Sequence, residues 1–152
     1  MLQFIHGNLV DQEVDAIVNC WNMNLIPWWL LVPQGVSGSI KRRAGTLPFK
    51  ELRRAGLLTP GSAFLTGAGK LKCKSIIHVA ALNCLWMSSP EIVENCTVSA
   101  LQLAVENGFQ SLAFPLIGAG TGGVNRTIAE EIISRVISQS QYTGDVTIVR
   151  FR

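Results

Sequence analysis

Short apolar runs of strand length alternate along this chain with longer amphipathic stretches, and that interleaving restricts it to an α/β architecture. Leu2–His6, Ala16–Asn19, Ser62–Thr66, Ser75–Ala80, Ser111–Pro115 and Val146–Phe151 are β-rich and bounded by turn residues, which predicts six strands. Helices are expected over Val36–Ala44 and Phe49–Ala55, separated by Gly45 and Pro48. A third begins at Pro90, with Val93, Val98, Leu101 and Val105 as its apolar stripe and Gly108 as its stop. The last covers Thr127–Ser138, with Ile128, Ile132, Ile133, Val136 and Ile137 facing the core. Charged residues make up only 15% of the chain, against about 25% in an average soluble domain, so the sheet is expected to be covered on both faces. With 48% apolar residues, disorder is excluded. The 152 residues suit one domain, 1–152, without repeats or linkers. The expectation is a three-layer α/β/α domain on a mixed sheet of about six strands.

Net charge is +3, concentrated in residues 1–75, where nine basic groups face four acidic ones. Such a half can steer an anionic ligand, but it is too dispersed to call for duplex nucleic acid. Cys20, Cys73, Cys84 and Cys96 form no C-x-x-C pair and have no histidine at zinc spacing, so no metal and no cofactor are expected and the thiols read as free. Met1–Asn8 lacks the marks of a signal peptide, and Leu25–Val32 is too short to span a bilayer. These features lead to the expectation of a cytoplasmic protein without a membrane partner.

Two segments break the local rules, both at the carboxyl ends of predicted strands, where open α/β sheets bind ligands. Gly118-Ala119-Gly120-Thr121-Gly122-Gly123 follows one strand and precedes the final helix. Four glycines in six residues can turn backbone N–H groups inward and, with the helix N-terminus, make a neutral phosphate cradle. The segment also fits G-x-G-x-x-G, but only 29 residues follow Gly123 and no acidic residue ends a later strand, so a dinucleotide redox fold is rejected. The second segment comprises Asn19-Cys20-Trp21-Asn22 and, beyond an apolar loop, Gln34-Gly35-Val36-Ser37-Gly38-Ser39-Ile40. Its carboxamides can bond hydroxyl groups, and its glycines at a helix start allow close backbone approach to a phosphate or ribose. Read alone, the same residues are an Asx-turn and a helix cap.

In these residues the sequence resembles the macro domain, an ADP-ribose-binding module. Gly7-Asn8-Leu9-Val10 is similar to the family's opening G-D-[IL]-T, and Val14–Asn22 to V-D-A-I-V-N-A-A-N. Gln34–Ile40 stands in the place of G-G-V-x-x-A-I, Ile76–Val79 matches V-I-H-x-V, and Phe114–Gly120 matches F-P-x-[IL]-[SG]-[TA]-G. The resemblance implies one bound ADP-ribose or derivative, with ADP-ribosylated macromolecules as partners. Asn8 and Leu9 would meet the adenine and Asn22 the distal ribose. Gly35, Val36, Ser37 and Gly38 would wrap that ribose and the α-phosphate. Gly118, Ala119, Gly120, Thr121, Gly122 and Gly123 would hold the diphosphate, and Asn19, Val124 and Asn125 would also belong to the ligand-binding set.

Several positions depart from the family pattern. Asn8 replaces an Asp, and Val124 stands where an aromatic commonly lies; Trp28 and Trp29 could supply an aromatic wall instead, or simply pack their loop. Ser37 occupies the place of an Asp that helps activate water in the hydrolytic group, and a serine hydroxyl is no carboxylate base. Hydrolysis of ADP-ribosyl conjugates, O-acetyl-ADP-ribose or the 1″-phosphate, with Asn22 and Ser37 as the catalytic candidates, therefore stands beside a non-catalytic reader and beside binding of another nucleotide or an RNA phosphate end. His6 and His78, each inside an apolar strand, read as core residues.

Overall fold

The computed structural model describes residues 1–27, 29–30 and 35–151. Six strands, β1 (Leu2–His6), β2 (Ala16–Trp21), β3 (Ala63–Gly67), β4 (Ser75–Ala80), β5 (Ser111–Phe114) and β6 (Asp145–Arg150), form one sheet in the order β1-β6-β5-β2-β4-β3. Only β3 runs antiparallel to its neighbour. The helices are α1 (Gly35–Ala44), α2 (Leu47–Arg53), α3 (Pro90–Glu106) and α4 (Arg126–Gln139).

The period of two along β2 divides the core. Ala16 and Val18 face α3 and α4, together with Ile77, Leu112 and Ile148. Ile17 and Trp21 face α1 and α2, where Ile40, Phe49 and Leu52 are fully buried. Chain leaving β2 therefore turns to one face of the sheet, whereas chain leaving β5 turns to the other. These strands are neighbours, so their exits diverge and open a crevice at their carboxyl ends.

Helix signals behaved unevenly. Pro90 opens α3 behind an N-cap, Ser89, whose Oγ accepts from Ile92 N at 3.2 Å. Pro48, expected between helices, instead lies in the first turn of α2, where its missing N–H costs nothing. The expected α3 stripe is shifted: Val93 and Leu101 are buried, but Val98 and Val105 are about half exposed, and Cys96, Thr97, Ala100 and Ala104 take their places. Small side chains let α3 lie close to the sheet and α4, leaving the valines at the rim. Ile128 of α4 is likewise exposed, and Ala129 is buried instead.

Among the described residues no helix is long and apolar enough to cross a membrane.

Candidate functional site

A cleft of about 390 Å³ occupies the crevice. The carboxyl end of β2 and the segments following β2, β4 and β5 build its walls: Cys20, Trp21 and Asn22 with Gly35, Val36 and Ser37; Ala81, Leu82 and Trp86; and Leu116, Gly118, Gly120, Thr121 and Gly122. A smaller cavity of about 170 Å³ shares Gly35, Val36, Leu116 and Gly120 with it and extends to Asn8, Leu9, Ala119, Arg126 and Phe151.

Asn22 is 6% exposed, and its Oδ1 accepts from Asn24 N at 2.7 Å, which sets the amide plane and keeps Nδ2 as the donor end. Asn24, at φ +64, accepts from Trp21 Nε1 and donates to the Leu52 and Gly56 carbonyls, tying the end of β2 to α2. The first turn of α1 brings Gly35, Val36 and Ser37 into the cleft wall, at the positive end of that helix's dipole, which favours an anion.

The glycine loop is clamped from behind. Ser88 N donates to Gly122 O at 3.0 Å, and Val124 N to Gly118 O at 3.0 Å. Gly118 has φ +76, and a Cβ there would lie 2.7 Å from Ser88 Oγ. At Gly122 a Cβ would lie 2.6 Å from Ser88 Cβ and 2.7 Å from Gly118 O. Gly120 differs, since nothing lies within 4 Å of a Cβ built there and the position opens to both cavities.

Several expected residues lie elsewhere. Asn19 sits on the α1/α2 side of the sheet and is fully buried. Its Nδ2 donates to His78 Nδ1 at 2.9 Å, and His78 Nε2 bonds Thr66 Oγ1 at 2.8 Å. Burial pushes the His78 pKa down to about 3, so the imidazole is neutral and structural. His6, by contrast, is exposed at the end of edge strand β1 rather than in the core. Gly38 is buried within α1 and lines neither cavity. Gly123 closes the turn at φ +79, and Val124 packs into the α3/α4 core. Asn125 caps α4, accepting from Thr127 N and Ile128 N, so that helix spends two of its free N–H groups on its own cap instead of on a ligand. Asn8 does line the smaller cavity, but its Oδ1 accepts from Val10 N at 3.3 Å, so the oxygen expected to meet adenine is already engaged. Trp29 is 58% exposed and lines neither cavity, and Trp28 lies outside the described residues.

Other lining residues carried no sequence signal. Trp86 comes from the β4–α3 loop, and Phe151 and Arg126 meet at the smaller cavity, where Arg126 Nη2 donates to Phe151 O at 3.2 Å. Cys20 replaces an alanine of the family pattern. Its pKa is pushed up to about 12 by burial, against a hydrogen bond from the Gly118 amide, so its thiol stays protonated. Among the described residues no cluster of His, Cys, Asp or Glu is disposed to hold a metal ion.

A family model described as Macro domain matches residues 18–133. A macro domain-containing protein of Caldanaerobacter subterraneus is 37% identical, with 99% of this chain and 86% of that protein aligned. An O-acetyl-ADP-ribose deacetylase of Citrobacter rodentium is 34% identical across 91% of this chain and 78% of its own length. Among solved structures, an Oceanobacillus iheyensis macrodomain mutant with ADPR gives a TM-score of 0.86 at 26% identity, covering 99% of this chain and 85% of that one. A Trypanosoma brucei macrodomain in complex with ADP-ribose gives 0.82 at 25% identity, covering 99% and 61%. The family match, the sequence identity and the likeness of fold each cover most of the length: this chain belongs to the macro domain family.

Proposed function

We propose that the cleft binds ADP-ribose or an ADP-ribose derivative, including ADP-ribose carried on macromolecules. One observation carries this reading: two glycine-containing segments, Gly35–Ser37 and Gly118–Gly122, line one cavity that continues into a smaller one. Neutral N–H groups on both sides suit a diphosphate. The smaller cavity, flanked by Asn8, Val10 and Phe151, suits a flat base, and the Asn22 end suits the distal ribose. A cytoplasmic site of action belongs to this reading and is supported by four unpaired thiols.

Among the described residues lining the main cleft, none is a carboxylate, an imidazole or an amine. Ser37 and Asn22 supply a hydroxyl and an amide, neither a base at neutral pH. This observation favours a second reading, capture of ADP-ribose without chemistry; hydrolysis in this cleft would draw on water held by the ligand's own phosphate. The relative named O-acetyl-ADP-ribose deacetylase supports keeping hydrolysis in view.

A ligand selective for the folded state stabilises it by RT ln(1 + [L]/Kd), about 2.7 kcal/mol at 100 Kd. For a chain of this size that raises the melting temperature by roughly 5–10 °C. ADP-ribose should produce such a shift, and AMP a smaller one. A melting curve unmoved by millimolar ADP-ribose would overturn the proposal.

A further inference from the structure

Trp86 lines the main cleft from a short loop between β4 and α3. Its φ is +60, in the left-handed region that a bulky side chain rarely adopts. Asn83 holds it there. Asn83 Oδ1 accepts from Leu85 N at 2.9 Å and from Met87 N at 3.1 Å, while Trp86 N donates to Asn83 O at 3.0 Å and Asn83 N to Met87 O at 2.8 Å. The bond from Ser88 N to Gly122 O anchors this loop to the glycine segment. Local hydrogen bonds thus fix the backbone that carries the indole, itself 36% exposed, on a loop whose Ala81 N donates to Trp21 O at 2.9 Å beside Asn22, and the loop continues outward as exposed Leu85 and Met87.

The electrostatics of this end are equally distinctive. The stretches that supply its walls, residues 16–40, 79–90 and 107–125, contain no Asp, Glu, Lys, Arg or His. Arg126, the cation nearest in sequence to the glycine segment, lines the smaller cavity instead and donates to Phe151 O. An anionic group on the distal ribose would lose hydration without gaining a counter-charge, whereas an uncharged apolar group would meet an aromatic face.

We infer that Trp86 is the specificity-determining residue of the cleft, selecting ADP-ribose conjugates whose distal substituent is uncharged and apolar. The inference rests on the proposed ADP-ribose reading and adds to it which conjugates are preferred. Asn83 is a positioning residue that acts through Trp86.

The test is calorimetric titration of ADP, ADP-ribose, an acetyl ester of ADP-ribose and ADP-ribose 1″-phosphate into the wild type, Trp86→Ala, Trp86→Phe, Asn83→Ala and the double variant of Asn83→Ala with Trp86→Ala. The wild type should bind the acetyl ester more tightly than the 1″-phosphate. Trp86→Ala should weaken the acetyl ester by about tenfold, the scale of one lost aromatic stacking face, and leave ADP unchanged, which also shows that the variant folds. Trp86→Phe should recover part of the loss, and Asn83→Ala should reproduce it in the wild type but add nothing to Trp86→Ala. Equal or tighter binding of the 1″-phosphate, or a Trp86→Ala loss that is absent or equal for ADP, overturns the inference while leaving ADP-ribose binding intact. Failure of the wild type to bind either ADP or ADP-ribose overturns the underlying reading, and this inference with it.

Discussion

The buried His78 makes the fold sensitive to mild acid, well outside the cleft. The imidazole is fully buried against Phe49, with ring centroids 5.9 Å apart, and its two nitrogens are engaged by Asn19 and Thr66. Thr66 Oγ1 donates onward to the Gly67 carbonyl, so Thr66 accepts the Nε2 proton and Nδ1 accepts from Asn19. That chain is complete only for the neutral ring. Burial pushes the folded pKa down to about 3, from 6.5 in the unfolded chain. Between those values the unfolded state holds more protons, so stability rises with pH there and is lost as pH falls below 6.5. From pH 7 to pH 5 the linkage integral gives a loss of about 2 kcal/mol, nearly all from protonation of the unfolded histidine. For a chain of this length that lowers the melting temperature by roughly 4–8 °C. The assay is urea unfolding at pH 7, 6 and 5 for the wild type and His78→Gln. Glutamine can accept and donate but does not titrate, so the variant should be less stable at pH 7 and flatter between pH 7 and 5. Equal pH slopes in the two proteins would refute the argument, because they would place the titrating group elsewhere.

Three further predictions concern the cleft. Gly120→Val places its side chain into open space at the junction of the two cavities, so ADP-ribose affinity should fall at least about tenfold with the melting temperature of the free protein nearly unchanged. Gly122→Val, by contrast, drives a Cβ into Ser88 and the Gly118 carbonyl and should lower the melting temperature as well; paired differential scanning fluorimetry and titration separate the two effects, and a destabilised Gly120→Val would contradict the geometry. If the missing carboxylate limits turnover, Ser37→Asp should raise hydrolysis of a protein-linked ADP-ribose toward the 10²-fold end of a general base's usual contribution while changing ADP-ribose affinity little. Fast wild-type turnover that drops in Ser37→Asp would locate the chemistry in other groups.

The interleaved strand and helix signals needed only local chemistry to be read. Strand-length apolar runs, Pro90 behind Ser89, and glycines after β5 each follow from residue-level preferences, so the six strands, the four α-helices among the described residues and the glycine loop at the strand ends were all visible in the chain. Element edges moved by a residue or two, as at α2, where Pro48 opened a helix rather than separating two. Which face of each element is buried was decided by packing. Val98 and Val105 are as apolar as Val93, yet α3 buries Cys96, Ala100 and Ala104 instead, because small side chains permit a close approach that valine would block. The strand period likewise turned Asn19 away from the cleft, and register set it opposite His78. Trp86 reached the cavity through a turn closed by Asn83 and pinned to Gly122, 36 positions from Trp86 in the chain. No periodicity records such a contact. Local sequence determined what this chain could form, and long-range packing decided which of its polar and aromatic side chains stand in the cleft.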